Sequence, residues 1–562
     1  MAEEKPRFED LTELKEKAVE SLSGLRKLQN EDDDYYEGHF NAKIEEPFWE
    51  VRPATPRALI DSAIDHTVTM NPIATVPPRK DTPVAQANAD LLEQGYQGWL
   101  NLISQDSPDP LREAGSDCYL RGEFYYKIVY DPMIGDDRFP IRLLAPEPMT
   151  IYPSPDEEYG EPSYVFEIYQ RTVADIMRKY PNWKPNKSYK PYENVEWVEY
   201  WSPKWRCFWA DEIPVLKGGI QPNIYKRVPY IHGYSGLGRK SKDGKPEKLV
   251  VGLLRHLHSM FGAEVRLLSF IDSVIGNWAM PRIYGDEDVN ADEIDMSPGT
   301  VTKLPGLREG AWKISEGFAP PGAVFQYIGL INSLIQEGGI SKSLQGQAPQ
   351  GVDVGYMYAL LVGQARLRFG APMKNMQVGL ERALGFGAYL IENVIKKPVT
   401  VQTMRTGKFT ETTIKPEDFN GYYKVNVKLE PIDPQLNDQK SLLGFRLWQG
   451  GGISHSSFLE EYAGKPNATR EMANIVAEKT VMSEEFAQVA LMAAVKKFGI
   501  EEVIGLLKAQ QQKGAGSQPG VPEGPQLRDT TVNQDNAIRR QQRLGQPGGS
   551  KPMEDRFTRP AP

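Results

Sequence analysis

The side chains that could carry chemistry are few, and their spacing does not suit it. Gly238-Arg239-Lys240-Ser241-Lys242-Asp243-Gly244-Lys245-Pro246 comes nearest to a phosphate-binding loop. In such a loop, glycines let backbone N–H groups surround a phosphate, while a lysine and a hydroxyl hold its charge and its magnesium. Here the spacing is one residue too long and Pro246 stands where the hydroxyl belongs, so an exposed loop is expected. His256 and His258 are two apart, on different faces of a helix, and cannot share a metal by the usual i, i+4 route. No His-Glu-x-x-His, Cys-x-x-Cys or Gly-x-Ser-x-Gly occurs, and nothing marks a pair among the many carboxylates. Glu31-Asp32-Asp33-Asp34 would attract a cation, but adjacent carboxylates lack the alternation of a calcium loop, so a solvated linker is expected. The sequence therefore predicts no catalytic residue, no metal and no cofactor, and hence no enzyme.

The elements that would position any site are organised around Lys248–Lys396. Val250, Leu253, Leu254, Leu257, Phe261, Val265, Leu268, Ile271 and Ile275 recur at helical spacing, which predicts a helix from about Lys248 to Trp278, roughly 45 Å long. Arg255, Ser259, Gly262, Arg266, Ser269 and Ser273 form a small, basic stripe on another face. Ala323–Glu337 predicts a second helix, stopped by Gly338-Gly339 acting as a left-handed cap. Between the two, Arg282-Ile283-Tyr284, an acidic patch, Val301–Leu304 and Ala311–Ile314 predict a small β insert with a turn at Pro305–Gly310. The polar, glycine-rich Ser341–Gly351 reads as a mobile loop. A third helix is expected from Tyr356 to Lys396, kinked at Pro372.

Around this centre the fold class is α+β with local connections. An amphipathic helix is expected near the start, with Leu11, Leu14, Ala18, Leu22 and Leu25 on one side and Asp10 as its N-cap. Pro56–Met70 and Pro83–Ser104 read as helices, and Thr172–Tyr180 as a short one. Asp117–Asp131 predicts strands turning at Arg121-Gly122, with further strands at Arg142–Ile151, Tyr164–Gln170 and Val195–Tyr200. Val399–Met404, Lys408–Thr413 and Tyr423–Leu429 alternate as strands, Leu436–Gln449 is helical, and a helical segment reaches about Gln510. The tail beyond, rich in Gln, Gly, Pro and Arg, is expected to be disordered.

Bulk composition is that of a globular chain, with 40% apolar and 25% charged residues. No apolar run approaches the ~18 residues of a membrane span, the N-terminus lacks a signal-peptide core, and two cysteines suggest a reducing compartment. Of the net charge of −9, residues 1–50 carry −8 (15 acidic, 7 basic) and residues 511–562 carry +3 (8 basic, 5 acidic), leaving −4 on the body. A protein gripping DNA through its overall field would be basic, so any DNA contact here is local.

Stalk, tip, stalk, loop and kinked helix, in that order, resemble the portal proteins of tailed double-stranded DNA bacteriophages, the head-to-tail connectors. Leu120-Arg121-Gly122-Glu123-Phe124-Tyr125-Tyr126-Lys127-Ile128-Val129-Tyr130-Asp131, Ala145-Pro146-Glu147-Pro148, Gln170-Arg171-Thr172 and Val228-Pro229-Tyr230-Ile231 are similar to portal wing segments. The resemblance covers roughly residues 52–510 and rests on element order rather than one signature. It implies a portal-like ring subunit: an acidic N-terminal arm (1–50), an α/β wing (51–246), a two-helix stem (247–280 and 323–340) and a small β-containing clip (281–322). A tunnel loop (341–355), a kinked long helix (356–397), returning wing strands (398–450), a helical crown (451–510) and a disordered tail (511–562) complete it.

What the resemblance implies for function is a ring of about twelve subunits at one capsid vertex, the channel through which DNA is packaged and ejected. Lys342, Gln345, Gln347 and Gln350 of the tunnel loop would then face the DNA, one lysine per subunit making a ring of positive charge. Asp286, Glu287, Asp288, Asp292, Glu293 and Asp295 of the clip would dock the terminase motor and later the head-tail adaptor. Arg255 and Arg266 are expected at the stem's subunit interface rather than in the bore, because a basic bore would hold DNA rather than pass it. Major capsid and scaffold proteins are further expected partners, contacted through the arms; no membrane is. The location is the virion, and the host cytoplasm during assembly. The competing classes are a nucleic-acid-processing enzyme, for which no constellation exists, and a scaffold or adaptor, for which the chain is long.

Overall fold

The computed structural model describes residues 5–44, 48–68, 72–80, 82–132, 139–155, 157–158, 161–279, 283–285, 312–314, 322–339, 369–405, 408–429, 434–463 and 468–481. They form an α+β chain in two units, Met1–Gln439 and Lys440–Pro562.

The first unit opens with helices α1 (Phe8–Glu37), α2 (Thr55–Thr67), α3 (Pro83–Ile103) and α4 (Pro110–Leu120). Prolines at the first turn of the last three cost no hydrogen bond there, and Thr82 and Asp109 accept N–H groups at the starts of α3 and α4. Asp10 is not the N-cap of α1: it lies one turn inside, and its carboxylate accepts the Arg7 N–H at 3.1 Å. Nor is 31–34 a linker, since α1 continues through it to Glu37.

Asp117–Leu120, expected as strand, ends α4, because Cys118, Tyr119 and Leu120 continue that helix's buried face. Only after Gly122, at φ +83°, does β2 begin. A Cβ on Gly122 would lie 2.5 Å from the Val251 backbone. Gly122→Ala is therefore expected to cost about 2–4 kcal/mol, the sum of a left-handed penalty and overpacking. Urea denaturation would measure it, and a loss under 1 kcal/mol would mean that the 250–252 segment yields.

The two largest sheets are antiparallel. β1 (Ile73–Thr75), within the proline-rich stretch, stands apart and pairs with a late strand. β2 (Glu123–Tyr130) is central in a three-stranded sheet, flanked by β3 (Ile141–Leu144) and by Tyr230–Tyr234. β4 (Ile151–Pro153), β5 (Val165–Thr172), β6 (Asn194–Trp201) and β7 (Trp205–Ala210) run in order through a six-stranded sheet whose two remaining strands are two residues long. Between β5 and β6 lies the short helix α5 (Val173–Lys179), which starts after Thr172 as expected. β2 is buried on both faces at Phe124, Tyr125, Tyr126 and Ile128, so it reads as an apolar run rather than an alternation. β8 (Tyr230–Tyr234) completes the three-stranded sheet.

The stem differs from expectation at its start. Helix α6 runs His258–Ala279 and does not begin at Lys248. Val250 and Val251 pass extended against the end of α4: the Leu253 N–H donates to the Tyr119 carbonyl at 2.7 Å, and a Cβ on Gly252 would fall 1.9 Å from the Leu120 oxygen. A helix is too wide for that passage, and Val250, Leu253, Leu254 and Leu257 are buried without one. β9 (Ile283–Gly285) pairs antiparallel with β10 (Trp312–Ile314), which places a two-stranded ribbon between the helices. Val301–Leu304 and its turn lie outside the described residues. Helix α7 (Gly322–Gly338) returns against α6. Gly338 and Gly339 serve close approach rather than a left-handed cap: neither has a positive φ, and added Cβ atoms would meet Leu257 at 2.4 Å and Leu59 at 2.9 Å.

Helix α8 (Gly370–Leu390) carries Pro372 in its first described turn, after the non-helical Phe369. Residues 356–368 of the expected helix lie outside the described residues. A π-helical turn, Ile391–Ile395, follows. β11 (Val399–Arg405) and β12 (Lys408–Ile414) pair as a hairpin, and β13 (Asn426–Lys428) pairs with β1. α9 (Pro434–Gln449) crosses into the second unit, where Gly444 packs on Tyr462 and Trp448 stacks on His455 and Phe458; α10 is Ala468–Val481.

Candidate functional site

The tunnel-loop residues Lys342, Gln345, Gln347 and Gln350 lie outside the described residues, as do Asp286, Glu287, Asp288, Asp292, Glu293 and Asp295 of the clip. Of the expected site residues, Arg255 and Arg266 are described. They share no helix face, because Arg255 sits in the turn before α6.

Arg255 meets a partner 223 residues away in sequence: its Nε lies 2.9–3.0 Å from both carboxylate oxygens of Asp32. His258 Nε2 stands 2.9 Å from the same carboxylate, and Tyr35 stacks on the His258 ring at 4.0 Å. Asp32 is fully buried. Next to it, Asp33 pairs with Arg121, which also holds Asp117 and Glu147. Burial raises the Asp33 pKa, the Arg121 bonds only partly opposing it. Acidic residues near a helix C-terminus oppose the macrodipole, so on its own this end of α1 would fray. Arg121 and Arg255 supply the missing positive charge.

From there the chain runs on along α6. Arg266 donates to the Ala42 carbonyl at 3.3 Å, the Val51 N–H donates to Ser269 Oγ at 2.8 Å, and the Trp49 N–H donates to Ser273 Oγ at 2.7 Å. Two residues of extended chain advance about 6.6 Å and four residues of helix about 6.0 Å, so alternate N–H groups match serines one turn apart. Both serines are buried. The small, basic stripe of α6 is therefore a seat for the chain's own N-terminal strap, not an open wall. Periodicity exposed the stripe; its occupant, a five-residue run without periodicity, gave no signal beyond the aromatic pair Phe48-Trp49.

Two buried charge clusters tie the wing beneath. Lys127 lies 2.9 Å from Glu199 Oε2 and also contacts Glu167. Glu123 takes Arg26 at 2.7 Å, Gln29 at 2.9 Å and His232 at 2.9 Å. Each cluster joins separate elements, Arg26 of α1 to Glu123 of β2 and Lys127 of β2 to Glu167 of β5 and Glu199 of β6, and so ties those elements together. A cleft of about 480 Å³ lies beside α3, β3 and β11, with a polar lining of Gln105, Asp106, Arg142, Thr400 and Gln402. Among the described residues no group of His, Cys, Asp and Glu could hold a metal ion, and no helix is long and apolar enough to cross a membrane. The near-phosphate loop is closed on itself, the Arg239 N–H donating to the Lys248 carbonyl at 2.9 Å.

What the stem leaves open is apolar. Phe270, Ile275, Phe325, Tyr327, Leu330 and Leu334 on α6 and α7 are all more than a third exposed, and Phe48 and Trp49 of the strap join them. Phe48 packs against Phe270 with ring centroids 5.7 Å apart.

No protein-family model matches the sequence. No curated protein matches it either. Among solved structures, a chain from the virion of a native gene transfer agent particle overlays with a TM-score of 0.38 at 12% identity, covering 72% of this chain and 88% of that one. An overlay that loose does not establish a shared fold.

Proposed function

We propose that this chain is a portal-type subunit: a ring at one capsid vertex of a virion, through which double-stranded DNA is packaged and later ejected. The observation that carries the reading is the stem. Helices α6 and α7, joined through a two-stranded ribbon, leave six large apolar side chains open to solvent. Exposed apolar side chains in that number mark an association face. A stalk repeated around an axis would cover it with its neighbour's stalk, and head-to-tail contacts that close generate rings.

In that ring the subunit hydrolyses nothing itself, and a terminase motor supplies the energy. Lys342, Gln345, Gln347 and Gln350 face the DNA, and the acidic residues 286–295 dock the motor and then the adaptor; the order of elements along the sequence supports these assignments. Arg266, which is exposed, is the arginine that bridges subunits, since Arg255 is already neutralised by Asp32. Capsid and scaffold proteins meet the wing and the terminal segments.

Negative-stain electron microscopy with light scattering tests the reading. Rings with a central hole and a mass near twelve 63.2 kDa chains, roughly 760 kDa, are expected. A monomer or dimer at every salt and protein concentration would remove it.

A further inference from the structure

We infer that the N-terminal strap is itself part of the contact between subunits. The aromatic patch of Phe48, Trp49 and Phe270 on one chain receives the Tyr327–Leu330–Leu334 stripe of α7 on a second copy. The inference rests on the ring reading and adds to it a surface that no stem helix provides alone.

Three observations carry it. First, the strap is ordered before any partner arrives. The Trp49 and Val51 N–H groups are held by the buried Ser273 and Ser269 hydroxyls, so Phe48 and Trp49 leave a fixed backbone and face outward, 41% and 52% exposed. Rigid aromatics presented this way lose little further entropy on binding and are the side chains that dominate interfaces. Second, a counterpart exists on the same chain. Tyr327, Leu330 and Leu334 follow i, i+3, i+7 spacing, so they form one stripe of α7, each more than a third exposed. Third, a head-to-tail contact pairs two different patches of one chain, and here one patch belongs to α6 and the strap and the other to α7. None of the six side chains is charged, which suits neither DNA phosphate nor an acidic or basic partner.

The consequence is mechanical. Asp32 is anchored to Arg255, and Trp49 and Val51 are anchored to α6. A contact made through the strap would tie each wing to its neighbour's stem.

The test uses the full chain. Phe48→Ser/Trp49→Ser is expected to fold normally by circular dichroism, since both side chains are exposed, and to raise the concentration for half-assembly at least about tenfold. Trp49→Cys/Leu330→Cys, in a chain whose two native cysteines are buried, is expected to give a ladder of disulfide-linked multimers on oxidation; neither single variant should. Wild-type rings with normal assembly of the serine variant, or without a ladder from the cysteine pair, would overturn this contact and leave the ring standing. Absence of wild-type rings would remove the ring and this contact with it.

Discussion

Lys127→Met is expected to destabilise the first unit by about 3–5 kcal/mol at neutral pH, the usual loss when one partner of a buried ion cluster is removed. Glu167 and Glu199 stand directly opposite each other across β5 and β6, both buried. Like charges in that position repel. Lys127 reaches over from the three-stranded sheet and neutralises them. The rest of the cluster is saturated: Tyr230 donates to Glu167 at 2.6 Å, and Trp197, Trp201 and Tyr169 donate to Glu199 at 3.1–3.2 Å. Burial holds the Glu167 pKa above the ordinary range; Glu199 sits below it because Lys127 and the two indoles outweigh the same burial.

Without the lysine the largest offset to desolvation is gone, so both carboxylates should favour the protonated form. The sign follows. The variant should be nearest wild type in acid and lose ground as pH rises through the raised values. Adding Glu167→Gln and Glu199→Gln should recover most of the loss. Urea denaturation followed by tryptophan fluorescence reads this directly, because Trp197 and Trp201 bond to the cluster. A loss below 1 kcal/mol at pH 7 would mean that water reaches the carboxylates.

Glu123→Leu is the second large effect, about 3–5 kcal/mol, and its pH dependence runs the other way. Burial alone would raise the Glu123 pKa, but Arg26, His232 and Gln29 outweigh it and bring the value down to about 2. A carboxylate near 4.5 when unfolded and about 2 when folded contributes about 3 kcal/mol above pH 5. That contribution disappears as pH falls from about 4.5 to about 2. Glu123→Leu should therefore flatten the acid limb of the stability curve as well as lower its plateau. It leaves Arg26 buried with one anchor, the Ile151 carbonyl, besides Gln29. Denaturation curves between pH 3 and 7 would show this. An unchanged acid limb would mean that other carboxylates govern acid unfolding.

The Glu123 cluster explains why the N-terminal segment, read as an acidic arm, folds onto the body. Leu11 and Ala18 of α1 pack on Phe166, Val198 and Trp209, as their spacing foretold. The same helix then buries Arg26, Gln29 and Asp32. In the sequence these look like a solvated face, because polarity predicts exposure unless a partner waits, and the partners Glu123, Arg255 and His258 come from distant segments.

Some features of this protein are local and were determined by the sequence alone. Proline and threonine starts place α3, alternation places the β11–β12 hairpin, and helical spacing places α7. The tertiary structure alone decided that α6 begins at His258, that Gly338 and Gly339 are there for close packing, and that the serine stripe is covered. Periodicity says which faces are apolar or small; it cannot say which segment arrives to cover them. A Val-Gly-Leu-Leu run scores as helix until the end of α4 leaves no width for one. An aspartate scores as exposed until an arginine 223 residues away takes its charge. Local propensity is worth tenths of a kcal/mol per residue, whereas a buried ion pair left open costs several, so where the two disagree the distant contact decides.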